Sequence, residues 1–159
     1  MSSRLITTWS EYDSAVEEIL DLSRNSLLIF DRDLAPLKLE QPERIVALRR
    51  LLSSQQDGRR LTVVVQQPDF VRQRSPQLMN LLALHAPAMS IIHSPPHLDR
   101  LKDCLLIADG RQLLVRFHQD QPRARVIVDD ARECAPYLLR FDEILGEGGT
   151  PLSSITLGL

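Results

Sequence analysis

Two short apolar runs limit most sharply what this chain can become: Leu27-Leu28-Ile29-Phe30 and Leu61-Thr62-Val63-Val64-Val65. Neither alternates with polar residues, so each suits a strand covered on both faces. A third run, Met89 to His93, has the same character. Helical patterns fill the intervals. Ser10-Glu11-Tyr12-Asp13 opens the first helix, with Ser10 as cap, Asp13 at the capping-box position and Trp9 as a staple. Its stripe is Ala15, Val16, Ile19, Leu20 and Leu22, ending near Ser23. A second helix begins near Pro42-Glu43, with Ile45, Val46, Leu48, Leu51 and Leu52 inward and Arg44, Arg49 and Arg50 outward. Ser75-Pro76 starts a third, carrying Leu78, Met79, Leu81, Leu82 and Leu84 to a stop at Pro87. Strands that alternate with helices pair in parallel.

The second half changes character. Cys104–Ala108 and Gln112–Phe117 read as a hairpin around Asp109-Gly110, and Ala124–Val128 follows as another strand. A last helix runs to about Leu145, anchored by Leu138, Leu139, Phe141, Ile144 and Leu145. The expected fold is therefore α/β: a mixed sheet with parallel N-terminal strands and a C-terminal hairpin, with helices on both faces. At 159 residues one domain is the natural expectation, large enough to need no metal or disulfide staple. Residues 146–159 form an apolar tail; Leu152, Ile155, Leu157 and Leu159 are expected to pack on the domain or on a neighbouring subunit.

A net charge of −2 argues against general nucleic-acid binding, which favours a basic excess. The N-terminus lacks an apolar core for a secretory signal, and no run approaches the length of a membrane span. A cytoplasmic, bacterial-type protein without membrane attachment is expected. Cys104 and Cys134 sit among apolar neighbours and read as reduced, buried side chains.

One cluster looks chemical: Arg116, His118, Asp120 and Arg123. Strand alternation places Arg116 and His118 on one face, where Arg123 joins them to grip a phosphate or carboxylate and Asp120 orients the imidazole. The plainer alternative is a solvated strand end pinned by Arg–Asp pairing. Asp31-Arg32-Asp33 after a strand, with Asp129-Asp130 after a later one, invites comparison with haloacid dehalogenase-type phosphatases. Gln66 stands where those enzymes need Ser or Thr, so helix capping and turns are the reading preferred. His93 and His97 are separated by Pro95-Pro96, which forbids a helical metal pair. His85 reads as a partner for a helix C-terminus. No glycine loop cradles a phosphate, and no cofactor is expected.

The β-α-β-α-β order followed by a strand ending in Asp-Gly resembles one half of the phospholipase D superfamily. That family carries His, Lys two residues on, and Asp five further on, often followed by Gly. The matching positions are Lys102, Cys104 and Asp109, then Gly110. The acid and the glycine are kept, while the nucleophilic imidazole and the phosphate-binding amine are replaced. A protonated lysine cannot stand in for that imidazole at neutral pH. The segments IFDRDLAPLKLEQPERIVALRRLL, DCLLIADG, RFHQDQPR, RFDEILG and TLGL also resemble uncharacterised bacterial domains of this architecture, found alone or appended to GNAT-type acetyltransferases. The resemblance implies a phospholipase D-like α/β sandwich and a homodimer. It further implies a non-catalytic accessory module for an anionic ligand or a protein partner such as an acetyltransferase. The alternative is a phosphodiesterase or nuclease in which His118 replaces the lost nucleophile.

Overall fold

The computed structural model describes residues 2–153. Eight strands form one mixed sheet in the order β1-β7-β6-β5-β2-β3-β4-β8. The strands are β1 (Ser2–Ile6), β2 (Ser26–Asp31), β3 (Arg60–Val65), β4 (Met89–His93), β5 (Cys104–Ala108), β6 (Gln112–Arg116), β7 (Ala124–Val128) and β8 (Thr150–Pro151). The helices are α1 (Trp9–Leu22), α2 (Pro42–Leu52), α3 (Asp69–Arg74), α4 (Pro76–His85) and α5 (Ala131–Gly146). Strands β2, β3 and β4 run parallel, whereas β5, β6 and β7 form an antiparallel meander beside β2.

Alternation along the strands builds two cores. Leu27, Ile29, Leu61, Val63, Leu106, Leu114 and Val126 join Ala15, Ile19, Leu48 and Leu81 beneath α1, α2 and α4. Leu28, Phe30, Leu105, Ile107, Leu113, Val115 and Ile127 meet Cys134, Phe141 and Ile144 of α5 on the other face. The double coverage expected of the apolar runs is thus present, and both cysteines are buried and free.

Three short elements escape the pattern of the sequence. β1 is polar and mostly exposed, held to β7 by backbone pairing rather than by an apolar face. α3 is six residues of mixed polarity after Pro68. β8 pairs with Ile92 and His93 at the far edge, and Leu152 beyond it is buried. Ile155, Leu157 and Leu159 lie outside the described residues.

Several side chains also differ from expectation. The cap of α1 is Thr8, not Ser10; its hydroxyl accepts from Glu11 N while Glu11 Oε1 accepts from Thr8 N. The longer glutamate reaches back one turn where Asp13 would fall short. Arg44 is buried rather than outward, donating to Glu17, Asp13 and the Leu37 carbonyl. Val46 takes the exposed position beside it, as do Leu84 and Leu139 on their helices. Ion pairing and satisfied donors make burial of a guanidinium tolerable where a hydrophobicity pattern assigns it to solvent.

Candidate functional site

Parity along three strands brings polar side chains to one end of the larger core. Asp31 follows Leu27 and Ile29 on the face beneath α1; Arg116 follows Leu114; Cys104 precedes Leu106. The register pairs Cys104 with Arg116, and the pairing of Phe30 with Leu105 brings Asp31 level with Cys104. Cys104 is therefore the residue over which Arg116 reaches, and its small side chain leaves the room.

Arg116 Nη2 donates to Asp31 Oδ1 at 2.9 Å, and each side chain is only 1% exposed. The rest of the guanidinium is nearly satisfied. Nη1 donates to the carbonyls of Gln119 and His118, while Nε is buried without a partner among the described residues. The guanidinium carbon lies 5.4 Å from the Trp9 ring centre and 5.1 Å from that of Tyr12, within cation–π range. The two rings meet edge to face at 5.6 Å. Asp31 Oδ2 accepts from the backbone N–H groups of Leu34 and Asp33, at 2.8 and 3.2 Å. The acid thus fixes the turn after β2 and the charge of Arg116 at once.

Protonation follows from burial. The Tyr12 hydroxyl and the Cys104 thiol are both pushed well above their usual ranges, chiefly by loss of solvent, with the Asp31 carboxylate adding to the effect. Arg116 is shifted up despite desolvation, the Asp31 carboxylate favouring its charge. A charged pair enclosed by neutral hydroxyl, thiol and indole is the resulting state.

Beside it, Gln66 and Gln119 tie the neighbouring loops together. Gln66 Nε2 donates to the carbonyls of Leu98 and Leu101, and Gln119 Nε2 donates to Gln66 Oε1 at 2.8 Å. Neither glutamine stands out in the sequence as a site residue. The only available signal was the position of Gln66 directly after an apolar strand.

The predicted cluster is not brought together as one site. β6 stops at Arg116, so strand alternation does not carry His118 onto its face. His118 is exposed, and its Nδ1 accepts from Asp120 N at 3.2 Å. Asp120 pairs with Arg32 at 3.0 Å, and its other carboxylate oxygen lies 3.9 Å from His118 Nδ1, so Asp120 does stand beside the imidazole. The Arg123 side chain is exposed, and its carbonyl accepts from Phe117 N. Lys102 is exposed, with Nζ donating to the Asp99 carbonyl. Asp109 lies at the other end of the hairpin, in a left-handed conformation with φ 55°. Its carboxylate accepts from the N–H groups of Arg24, Asn25 and Ser26 at 2.7–2.9 Å. Asp109 therefore does not converge with Arg116 or His118. Among the described residues no group of His, Cys, Asp or Glu has an arrangement fit to hold a metal, and none of the helices is long and apolar enough to cross a membrane.

A family model described as a domain of unknown function, DUF7931, matches residues 8–148. The chain belongs to that family. A search of curated proteins finds no match. Among solved structures the fold is similar to TrmBL2, an archaeal chromatin protein with a novel mode of DNA binding, at TM-score 0.69 and 14% identity. That likeness covers 96% of this chain and 54% of the other, so the chain spans about half the length of that relative. It is also similar to Nuc from Salmonella typhimurium, a phospholipase D family member, at TM-score 0.63 and 13% identity, over 96% of this chain and 98% of Nuc. NucT from Helicobacter pylori follows at TM-score 0.58 and 8% identity, over 94% and 98%. The fold is phospholipase D-like. These likenesses correct one expectation: that a net charge of −2 excludes general nucleic-acid binding. The archaeal protein, about half of whose chain has this fold, binds DNA, and the charge of a whole chain does not describe the rim of one sheet.

Proposed function

We propose that this DUF7931 chain is a non-catalytic binding module of the phospholipase D-like fold, whose ligand is a phosphate-bearing polymer of the nucleic-acid class. The observation that carries the reading is the enclosed Arg116–Asp31 pair. It fills the sheet end beside Cys104, one of the positions that resemble the phospholipase D motif, and leaves neither side chain open to a substrate. Of the cluster read from the sequence, His118 and Arg123 remain accessible for an anion.

The phosphodiesterase reading through His118 is less well supported. An imidazole whose Nδ1 lone pair accepts from Asp120 N carries its neutral-state proton on Nε2. It then presents a donor to an anion rather than a lone pair to phosphorus.

The test pairs two measurements: anisotropy of a labelled oligonucleotide at low salt, and hydrolysis of a chromogenic phosphodiester. The expected result is binding without turnover, weakened by Arg123→Ala. Turnover that disappears in His118→Ala would overturn the non-catalytic reading, and absence of binding at low salt would remove the ligand class.

A further inference from the structure

Six large hydrophobic side chains are exposed among the described residues, and only two are aromatic: Trp9 at 44% and Phe117 at 43%. Both flank Arg116. Trp9 lies against the guanidinium, and Phe117 is the next residue in the chain. Just past the last residue of β6, the Phe117 N–H donates to the Arg123 carbonyl. Two exposed aromatic rings thus neighbour a single buried cation, Trp9 through space and Phe117 along the chain. That bond sets the Arg123 backbone against Phe117, and both side chains are exposed.

Trp9 is also fixed in place. Tyr12 holds it edge to face and Arg116 holds it by charge, so little freedom is lost when a second planar group stacks on it. Charge on this rim is nearly balanced. Arg116 is spent on Asp31, and Arg32 contacts both Asp33 and Asp120. Arg123 is the one arginine of the cluster without an ion pair among the described residues, and His118 is likewise exposed. A duplex, which presents phosphates and hides the faces of its bases, gains little here. A single strand presents both, and base stacking on aromatic side chains is the recurrent means of holding one.

We infer that Trp9 and Phe117 are a base-stacking platform for single-stranded nucleic acid, with Arg123 and His118 meeting one or two phosphates. This rests on the nucleic-acid reading above and narrows it to single strands held mainly by stacking.

Trp9 is the only tryptophan in the chain, so its fluorescence reports on the platform directly. The full chain is titrated with a short thymidine oligonucleotide and with a duplex of equal length. Binding is followed by tryptophan emission and, independently, by anisotropy of an end label. The expected result is quenching by the single strand, with the duplex bound much more weakly. Phe117→Ala, at an exposed position, weakens single-strand binding about ten-fold. The plot of log affinity against log salt has a shallow slope, about −0.7 for each phosphate neutralised. Trp9→Phe, which keeps a smaller ring on Arg116, weakens single-strand binding by anisotropy, but less than Phe117→Ala does. Binding that leaves tryptophan emission and Phe117→Ala unaffected, or a steep slope with preference for duplex, overturns the platform while leaving the nucleic-acid reading intact. No binding of either probe overturns both.

Discussion

Arg116 and Asp31 form an ion pair that spans three strands, from β6 across Cys104 of β5 to the end of β2. Because the pair is buried, its members depend on each other more than on the rest of the core. Removing one partner of such a pair strands a charge without compensation, at a cost of about 3–5 kcal/mol. Arg116→Met and Asp31→Leu should each lower stability to urea by that amount. The double variant should lose clearly less than the sum, since a well-packed apolar replacement can approach neutrality. Additive losses in a double-mutant cycle would show that the two side chains act separately.

Asp109 serves the fold rather than the rim. It accepts three backbone N–H bonds at the start of β2 from a left-handed turn. Asp109→Ala should cost about 2–4 kcal/mol, from lost charge-assisted bonds and a turn conformation that alanine disfavours. Oligonucleotide affinity of the folded fraction should be unchanged. A loss of affinity at full stability would reverse this assignment.

The capping box of α1 gives a pH dependence with a definite sign. The Glu11 carboxyl is held below its usual range, first by the Thr7 backbone N–H and then by the hydroxyls of Thr7 and Thr8. A carboxyl depressed in the folded state contributes stability above its unfolded value and loses it as pH falls through the folded one. Glu11→Gln should therefore flatten the acid limb of a stability–pH curve, below about pH 4.5, and should leave its neutral slope unchanged. Thermal denaturation across that range measures the effect.

Both thiols should be silent in the native protein. Burial pushes Cys134 up to about 11 and Cys104 higher still, so neither is ionised near pH 8, and only thiolate reacts readily. An aromatic disulfide reagent should detect no thiol before unfolding and two afterwards. Fast native labelling of Cys104 would mean that the enclosure around Arg116 opens readily.

Most of the architecture was legible because it is carried by periodicity. The apolar runs at Leu27, Leu61 and Met89 and the Asp109-Gly110 turn announce strands and a hairpin, and those elements lie within a residue or two of where the pattern puts them. β1 and β8 were not legible, because an edge strand needs only backbone partners and leaves no mark on hydrophobicity. The site was read in part. Arg116 was visible as an unusual residue in an apolar strand, and Asp31 as an acid after one. Their meeting depends on register between β2, β5 and β6, which no local pattern records. The sequence offers Trp9 only as a helix staple, since its contact with Arg116 joins positions more than a hundred residues apart.

The strand order has a consequence for the course of the chain. β1 and β8 occupy opposite margins, separated by seven inter-strand spacings, or about 34 Å at ordinary sheet geometry. The chain therefore enters the sheet at one margin and makes its last described pairing at the other, as at the two ends of a strut.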